Sequence, residues 1–341
     1  MPKHTDLNSL PAMLLRWFDR HGRDLPWRAP KGERRDPYRV WLAEIMLQQT
    51  TIPHGTPYFL TFTDRWPTVG ALAAAADEDV MAAWAGLGYY ARARNLLKCA
   101  REVAARGAWP KTEAELKKLP GIGPYTAGAV AAIAFGQRAA AVDGNVDRVF
   151  ARVLALTGEW AAAKKRIHAE VAALVPADRP GDFAEALMDL GATVCTPAKP
   201  DCLICPLSQL CKARAEGAPE RYPAKPAAKA KPVRRGTAWV VVCKGEVLLV
   251  RRPERGLLGG MLGLPTSDWS ADGDGDPETP FRARWEDCGE VRHVFTHFDL
   301  RLAVKRADPA RRPESDGLWV PVEAVEGLPS VFAKAFRLAI R

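Results

Sequence analysis

At 341 residues the chain is too long for a single ordinary hydrophobic core, so its length predicts two domains. A hydrophobic fraction of 48% and a charged fraction of 26% are typical of a soluble globular protein, and no apolar run approaches the roughly 20 residues that cross a bilayer. The formal charge of +9 favours a polyanionic partner such as nucleic acid, although a merely basic cytosolic protein can carry the same charge.

Residues 1–218 predict an all-α domain. Apolar residues recur there at spacings of three and four, as in Leu10, Leu14 and Trp17, and proline or glycine separates the helical stretches. Alternating strand patterns are almost absent. The N-terminus also lacks the apolar region and cleavage site of a signal peptide, so we expect a cytoplasmic protein that does not associate with membranes.

Four of the seven cysteines lie in a loop at residues 195–211, with prolines between them. The four are Cys195, Cys202, Cys205 and Cys211. A disulfide framework would spread its cysteines along a secreted chain, so this clustering indicates a metal site. Four thiolates can hold either zinc or a [4Fe–4S] cluster. Zinc ribbons usually use two CxxC pairs, and the single CxxC here favours the cluster.

Residues 219–235 predict a basic linker, and residues 236–341 predict a second, α+β domain. Four prolines and six Lys or Arg residues lie between Pro219 and Gly236. A hairpin is expected around Lys244-Gly245-Glu246. The predicted strands lie within Thr237–Cys243, Val247–Arg252, Val291–Val304 and Leu318–Val322, and a helix is expected over Ser330–Ile340.

The turn Leu119–Ala127 (LPGIGPYTA) lies between two helical patterns. Gly121 and Gly123 allow a tight turn that leaves backbone amides free at the start of the next helix, where they can hold a phosphate. A GxG turn alone is weak evidence for phosphate binding, because such a turn more often only separates two helices. The segment Val142–Val149 (VDGNVDRV), some twenty residues later, makes the pattern specific.

These two segments and the cysteine loop, in this order, resemble the helix-hairpin-helix DNA glycosylase superfamily, which includes endonuclease III. Three further segments make the chain similar to the adenine DNA glycosylase (MutY) family over essentially its whole length. They are Leu25–Arg28, Trp41–Thr50 and Gly86–Tyr90. The resemblance implies a monomeric base-excision repair enzyme with a [4Fe–4S] cluster. It implies double-stranded DNA containing adenine opposite 8-oxoguanine or guanine as the partner, and prevention of G:C to T:A transversions as the result.

Two carboxyl groups fit this chemistry by their own surroundings in the sequence, independently of the resemblance. Glu44 is the only charged residue between Val40 and Leu47, and burial in such a helix raises a carboxyl pKa enough for it to act as a general acid on adenine N7. Asp143 can face the oxocarbenium-like sugar, by stabilising it through space, by a transient covalent bond or by activating water. An N-cap role for Asp143 is compatible with all three.

The resemblance assigns further roles. Tyr125 and Asn145 assist the two carboxyl groups, and glycines Gly121 and Gly123 contact the DNA backbone. The adenine pocket matches Arg23, Leu25, Trp27, Arg28 and Glu185. The residues that fill the gap left by the flipped base and contact the opposite guanine match Gln48, Gln49, Thr50, Leu87 and Tyr89.

Tyr125 also indicates that the enzyme lacks the strand-cleavage step. Bifunctional relatives similar to endonuclease III carry a lysine at this position and use it to form a Schiff base, which tyrosine cannot do. We therefore expect a monofunctional glycosylase that leaves an abasic site and nicks the strand weakly at most.

The second domain resembles a Nudix fold, because Gly256–Pro265 is similar to the segment before a Nudix box. The metal-binding helix is missing, and only scattered acids such as Asp272, Asp274 and Asp276 follow. The family instead uses this domain to inspect 8-oxoguanine, and Phe295-Thr296-His297 matches the loop that does so, with threonine where serine is common.

Three other functions remain open at this point. They are an endonuclease III-like pyrimidine glycosylase with lyase activity, a non-catalytic redox or DNA-damage-binding protein, and a Nudix hydrolase. Tyr125 argues against the pyrimidine glycosylase with lyase activity. The two retained carboxyl groups argue against a non-catalytic protein, and the missing Nudix helix argues against a Nudix hydrolase.

Overall fold

The computed structural model of the chain describes residues 7–30, 33, 35–224, 230–253, 256–273 and 277–340. These residues form two units. The first includes residues up to Leu87 and from Arg92 to the linker, and the second includes Gly88–Ala91 and the residues after the linker. Part of the predicted linker, 225–229, lies outside the described residues, as do the acids Asp274 and Asp276.

Every regular element described before residue 224 is helical, as the apolar spacing predicts. The α-helices are α1 (Leu10–His21), α2 (Pro37–Met46), α3 (Ile52–Arg65), α4 (Val69–Ala73), α5 (Asp77–Ala83), α6 (Ala91–Arg106), α7 (Glu113–Leu116), α8 (Pro124–Phe135), α9 (Gly144–Val153), α10 (Trp160–Leu174), α11 (Pro180–Thr193) and α12 (Lys212–Ala215). Proline lies in the first turn of α1, α2, α3, α8 and α11, where its missing N–H has no intrahelical partner to lose.

Helix α8 lies inside the first unit. All of its residues from Thr126 to Ile133 are buried, so this helix has no polar face and must be covered on every side. It packs against α2, α7 and α11. A further apolar cluster, which includes Leu14, Phe150 and Leu187, joins α1, α9 and α11. The N-terminal ends of α8 and α9 are thereby fixed on the same framework as α2.

The turn between α7 and α8 has the conformation that its glycines predict. Gly121 has a φ of +74°, and a Cβ at this position would lie 2.8 Å from the Cβ of Asn95. The Ile122 N–H donates to the Leu119 carbonyl at 3.2 Å, and Gly123 is the N-cap of α8. The helix-hairpin-helix prediction is therefore confirmed.

The second unit is a sheet with one packed helix. Its elements are β1 (Val233–Cys243), β2 (Glu246–Arg251), β3 (Leu262–Gly263), β4 (Glu286–Val294), β5 (Asp299–Ala307), β6 (Leu318–Pro321) and α13 (Ser330–Ile340). The strand order is β3-β2-β1-β5-β4, with β6 paired to β2. Strands β1 and β5 are parallel and the other pairs are antiparallel. Helix α13 packs on β1, β4 and β5 and completes an α+β fold.

The predicted hairpin and closing helix are confirmed. Lys244 and Gly245 join β1 to β2 with positive φ angles of 51° and 79°, which suits the tight turn of a two-residue hairpin. Strand β1 differs from its prediction because it begins at Val233, inside the predicted linker. Residues 233–235 are exposed, so their basic composition resembles that of a linker although they pair with β5.

Candidate active site

One cleft of about 990 Å³ in the first unit brings together most of the residues singled out from the sequence. Residues 23–28, the end of α2 with the turn after it, the first turns of α8 and α9, and one face of α11 form its walls. The predicted site residues that line it are Arg23, Leu25, Trp27, Arg28, Glu44, Gln48, Gln49, Thr50, Gly123, Tyr125, Asp143, Asn145 and Glu185. Leu87, Tyr89 and Gly121 are not among the residues that line this cleft.

Glu44 lies in the last turn of α2, on a helix whose neighbouring side chains are buried. Burial raises the pKa of its carboxyl group to about 7. The hydrogen bond from Tyr125 opposes this rise, the carboxylates of Asp143 and Glu185 add to it, and Arg28 opposes it. A substantial fraction of Glu44 therefore holds its proton at neutral pH, as a general acid requires.

Tyr125 lies in the first turn of α8 and lines the cleft with Glu44, and the interaction of its hydroxyl group with the Glu44 carboxyl group lowers the Glu44 pKa. The hydroxyl group donates to Met188 Sδ at 3.6 Å. Burial and the nearby carboxyl groups of Glu44 and Asp143 hold the pKa of the phenol well above its usual value. The hydroxyl group therefore stays protonated and acts as a donor.

Asp143 is the N-cap of α9, and its carboxylate is held by three hydrogen bonds. The backbone N–H groups of Asn145 and Val146 donate to Oδ1 at 2.9 and 2.8 Å, and Asn145 Nδ2 donates to Oδ2 at 2.8 Å. These three donors fix the orientation of the carboxyl group at the start of α9. The structural N-cap role and a position in the cleft coexist, as the sequence allowed.

Asn145 links this carboxylate to the start of the cysteine loop. Arg148 Nη2 donates to Asn145 Oδ1 and to the Gly191 carbonyl, at 2.8 and 2.7 Å, and its Nε donates to the Cys195 carbonyl at 2.8 Å. A Cβ on Gly191 would lie only 2.6 Å from the Cβ of Asn145, so the glycine permits α9 and α11 to approach this closely.

Arginine and glutamate side chains form the polar wall of the cleft. Arg28 Nε lies 3.6 Å from Glu185 Oε1, and Arg35 Nη2 donates to Glu185 Oε2 at 3.0 Å. Burial raises the pKa of Glu185 despite these two cations. The predicted pocket residues Leu25 and Trp27 line the same cleft, and Trp27 packs edge-on against Phe59 at 5.3 Å between ring centroids.

The turn after α2 is fixed by a side chain that the sequence analysis missed. Arg92 donates to the carbonyls of Ile45 and Met46 at 3.1 Å, to the Gln48 carbonyl at 2.5 Å, and to the Leu87 carbonyl at 3.2 Å.

Two of the residues predicted to fill the gap in the duplex, Gln49 and Tyr89, have positive φ angles of 56° and 50°. Leu87 is 5% exposed and Tyr89 is 55% exposed.

Asp189 is the second residue that the sequence analysis missed. Its carboxylate is buried behind the cleft and accepts hydrogen bonds from both Arg23 and Arg28. An available signal was the spacing of Glu185 and Asp189, two acids four residues apart in an otherwise largely apolar helix. The same reasoning that singled out Glu44 applies to this pair.

The four loop cysteines line one small cavity. Burial and the neighbouring thiols raise the pKa of Cys205 to about 12. Among the described residues, no three His, Cys, Asp or Glu side chains are placed to hold a single metal ion. Four cysteine sulfurs in one cavity are a donor set that a [4Fe–4S] cluster accepts, as zinc also does.

A buried guanidinium group completes the cysteine loop. Arg152 is 2% exposed, and its Nη1 donates to Cys195 Sγ at 3.2 Å and to the Thr196 carbonyl at 2.8 Å. Its Nε donates to the Tyr222 carbonyl at 3.0 Å. A buried cation directed at a cysteine sulfur is the arrangement that an anionic thiolate-bound group needs.

In the second unit, Phe295-Thr296-His297 lies in the loop between β4 and β5. Phe295 is half-buried and packs against Trp269 and Phe298, with ring centroids 5.8 and 4.9 Å apart, whereas Thr296 and His297 are exposed. Lys231 Nζ donates to the Phe295 carbonyl at 2.8 Å. The described residues between Pro265 and β4 include no helix, in agreement with the missing Nudix box.

Within the part of the chain that the structure describes, no helix has both the length and the apolar character needed to cross a membrane.

Two protein-family models match the two units. Residues 42–177 match the HhH-GPD superfamily base excision DNA repair protein, and residues 237–340 match the NUDIX domain. The solved structure of a thermostable thymine-DNA glycosylase is similar with a TM-score of 0.54 and 30% identity, covering 61% of this chain and 95% of that chain.

Curated relatives narrow the family. The adenine DNA glycosylase of Homo sapiens is 33% identical, in an alignment that covers 98% of this chain and 74% of the human protein. The adenine DNA glycosylase of Mycolicibacterium smegmatis is 43% identical over 61% of this chain and 71% of that protein. The chain therefore belongs to the adenine DNA glycosylase family of base-excision repair enzymes, which hydrolyse N-glycosyl bonds, and it carries a Nudix-type domain after the glycosylase domain.

Proposed function

We propose that this protein acts as a monomer on duplex DNA and hydrolyses the N-glycosidic bond of adenine paired with 8-oxoguanine or with guanine. The observation that carries the proposal is the presence of Glu44 and Asp143 in one cleft, with the Glu44 pKa raised to about 7. Glu44 can then supply a proton, while the Asp143 carboxyl group is held in place by three donors.

The two carboxyl groups have different roles in the reaction. Glu44 gives its proton to adenine N7, and the bond between C1′ and N9 breaks with its electron pair passing to the base. Asp143 opposes the positive charge that develops on the sugar. Water adds to C1′, and its proton returns to Glu44. The products are free adenine and an abasic site, and both carboxyl groups are restored.

The enzyme is proposed to stop at the abasic site. Strand cleavage through a Schiff base needs an amine at C1′, and the position beside Glu44 is occupied by the phenol of Tyr125. The hydroxyl group is a neutral donor that keeps the Glu44 carboxyl group oriented. It has no route to a covalent bond with the sugar aldehyde.

The target adenine must leave the base stack to reach the cleft. The net charge of +9 supplies phosphate contacts that are independent of sequence. The free amides at the start of α8 are placed to hold one phosphate. Gln48, Gln49, Thr50, Leu87 and Tyr89 are proposed to occupy the gap in the duplex.

A [4Fe–4S] cluster is proposed as the cofactor, held by Cys195, Cys202, Cys205 and Cys211. When bound, such a cluster supplies a structural centre for the loop and can exchange an electron. The loop begins directly after α11 and contacts Arg148 and Arg152 of α9. Its residues are therefore tied to the helix that carries Asp143 at its N-cap.

The second unit is proposed to read 8-oxoguanine through Phe295-Thr296-His297. This base differs from guanine by an N–H donor at N7 and an oxygen at C8, and the exposed Thr296 hydroxyl group can accept from that donor. Removing adenine opposite 8-oxoguanine before replication prevents G:C to T:A transversions.

Single-turnover base release across a panel of duplexes tests the proposal. The panel contains A:8-oxoguanine, A:G, A:C, T:G and thymine glycol opposite adenine. We expect release of adenine from the first two duplexes, fastest from A:8-oxoguanine, and no release of thymine or thymine glycol. Because a thymine-DNA glycosylase has a similar structure, release of thymine from T:G without adenine release would replace the proposal.

A further inference from the structure

Asp189 is buried in α11 and carries a charge that no solvent contacts, since its side chain is 0% exposed. Two arginines surround it. Arg28 donates to both carboxylate oxygens, from Nη1 to Oδ2 at 2.8 Å and from Nη2 to Oδ1 at 2.7 Å. Arg23 donates from its backbone N–H to Oδ2 at 2.9 Å and from Nε to Oδ1 at 2.8 Å. The carboxylate is therefore fully occupied by two side chains that come from one short segment.

Asp189 does not line the cleft, but both of its partners do. Arg28 is further held by a hydrogen bond from Nη1 to the Arg23 carbonyl at 2.9 Å. Its Nε faces Glu185 at 3.6 Å. The segment 23–28 includes no helix or strand, and one backbone hydrogen bond, from the Arg28 N–H to the Leu25 carbonyl at 2.9 Å, closes a turn within it. Its position against α11 depends on the side-chain contacts of Arg23 and Arg28.

We propose that Asp189 is a positioning residue of the adenine pocket, which holds Arg23 and Arg28 so that the segment between them forms the wall that receives the flipped base. This inference rests on the proposed function. Leu25 and Trp27 lie between the two arginines in sequence and line the cleft. One buried carboxylate thus orients the polar and the apolar part of the wall together.

The proposal separates binding of the base from binding of the DNA backbone. Asp189 bonds to the pocket wall at Arg23 and Arg28, whereas phosphate contacts are expected at the turn of Gly121 and Gly123. Disturbing Asp189 should weaken only those interactions that need a base in the pocket. A merely structural role would weaken every kind of DNA binding together.

The test compares two variants on two duplexes. Asp189→Asn removes the charge and one acceptor, and Asp189→Glu keeps the charge but moves the oxygens by one methylene group. The first duplex contains 2′-fluoro-2′-deoxyadenosine, which resists cleavage, opposite guanine. The second contains a tetrahydrofuran abasic analogue opposite guanine, and so offers no base to the pocket.

For both variants we expect the Kd of the fluoroadenine duplex to rise by at least about tenfold, as loss of hydrogen bonds between charged groups predicts. The Kd of the abasic duplex should change by less than about threefold. Equal losses on both duplexes, or no loss on either, would overturn the proposal. If Asp189→Asn does not fold, Asp189→Glu decides the question by the same comparison.

A surface carboxylate provides the control. Asp19 accepts two hydrogen bonds from Arg179, at 3.2 and 2.7 Å, and does not line the cleft. Asp19→Asn should bind both duplexes as the unmodified protein does. Failure of the proposed function would be visible separately, as absence of adenine release by the unmodified protein.

Discussion

The hydroxyl group of Tyr125, in the first turn of α8, and the carboxyl group of Glu44, in the last turn of α2, line one cleft and interact there. Burial raises the pKa of Glu44, and hydrogen bonding to Tyr125 limits the rise because it favours the charged form. The pair therefore sets how much of the acid is protonated at neutral pH.

Replacing Glu44 by glutamine should abolish adenine release. The amide keeps the size of the side chain but has no acidic proton, and general acid catalysis contributes about 10²- to 10⁴-fold to a rate. We expect mismatch binding, measured by fluorescence anisotropy, to stay within about tenfold of the unmodified protein. Glu102→Gln changes a half-buried side chain of α6 that pairs with Arg106; it is the matched control and should keep full activity. Appreciable turnover by Glu44→Gln would refute the general-acid role.

The pH dependence of base release should follow the protonation of Glu44. Since its pKa is raised to about 7 and the protonated form is active, the single-turnover rate should fall as the pH rises through about 7. Tyr125→Phe removes the hydrogen bond that lowers this pKa. The alkaline limb of the profile should therefore move to higher pH in the variant. A shift to lower pH, or no shift, would show that Tyr125 does not act on Glu44.

Tyr125→Lys should introduce some strand cleavage. A lysine amine at this position can attack C1′ of the abasic product and form an imine with loss of water, and borohydride can reduce that imine to a stable adduct. Gel electrophoresis after borohydride treatment measures the trapped complex. The control is Lys164→Gln, which removes the lysine that lines the cleft in the unmodified protein. Intact base release with no trapped adduct would mean that position 125 does not face the sugar.

Iron analysis should find about four iron atoms per chain and little zinc, as the four cysteine ligands and the single CxxC among them predict. Cys202→Ser should lose iron and weaken DNA binding before it changes the chemical step. Cys288→Ser changes a cysteine of β4 outside the loop and should retain all of the iron. Stoichiometric zinc in the purified protein would contradict this assignment.

Local patterns predicted the parts of the structure that depend on near neighbours. The isolated Glu44 among apolar residues, the glycines of the turn before α8 and the N-cap Asp143 are all readable within one or two helical turns. Asp189 is different, because its partner Arg23 is 166 residues away in sequence. No periodicity reveals such a contact.

Arg92 was missed for a related reason. Arg92 donates to backbone carbonyls, and because every residue has one, no residue type in the sequence marks these partners. The start of β1 at Val233 was missed because the strand pairs residue by residue with β5, some 66 positions later, and composition records only that Arg234 and Arg235 are basic. Long-range pairing therefore decided the features that local patterns could not.

Thr296→Val should reduce the preference for adenine opposite 8-oxoguanine over adenine opposite guanine. The loop that carries Thr296 is supported by the packing of Phe295 on Trp269 and Phe298, and the Thr296 side chain is exposed. It can accept a hydrogen bond from the N7–H of 8-oxoguanine, a donor that guanine lacks. Such a bond contributes about 1 kcal/mol, which corresponds to up to about tenfold in rate or affinity.

Valine keeps the shape of the side chain and removes the acceptor. On A:8-oxoguanine the single-turnover rate should therefore fall and the dissociation constant should rise toward the values on A:G, with little change on A:G itself. Thr61→Val is the matched control, because its hydroxyl group bonds only to the Pro57 carbonyl of its own helix among the described contacts. It should leave both duplexes unaffected. Equal losses on both duplexes in Thr296→Val would mean that the loop only positions DNA, and recognition of 8-oxoguanine would then have to lie with residues of the helical unit such as Gln48 and Thr50.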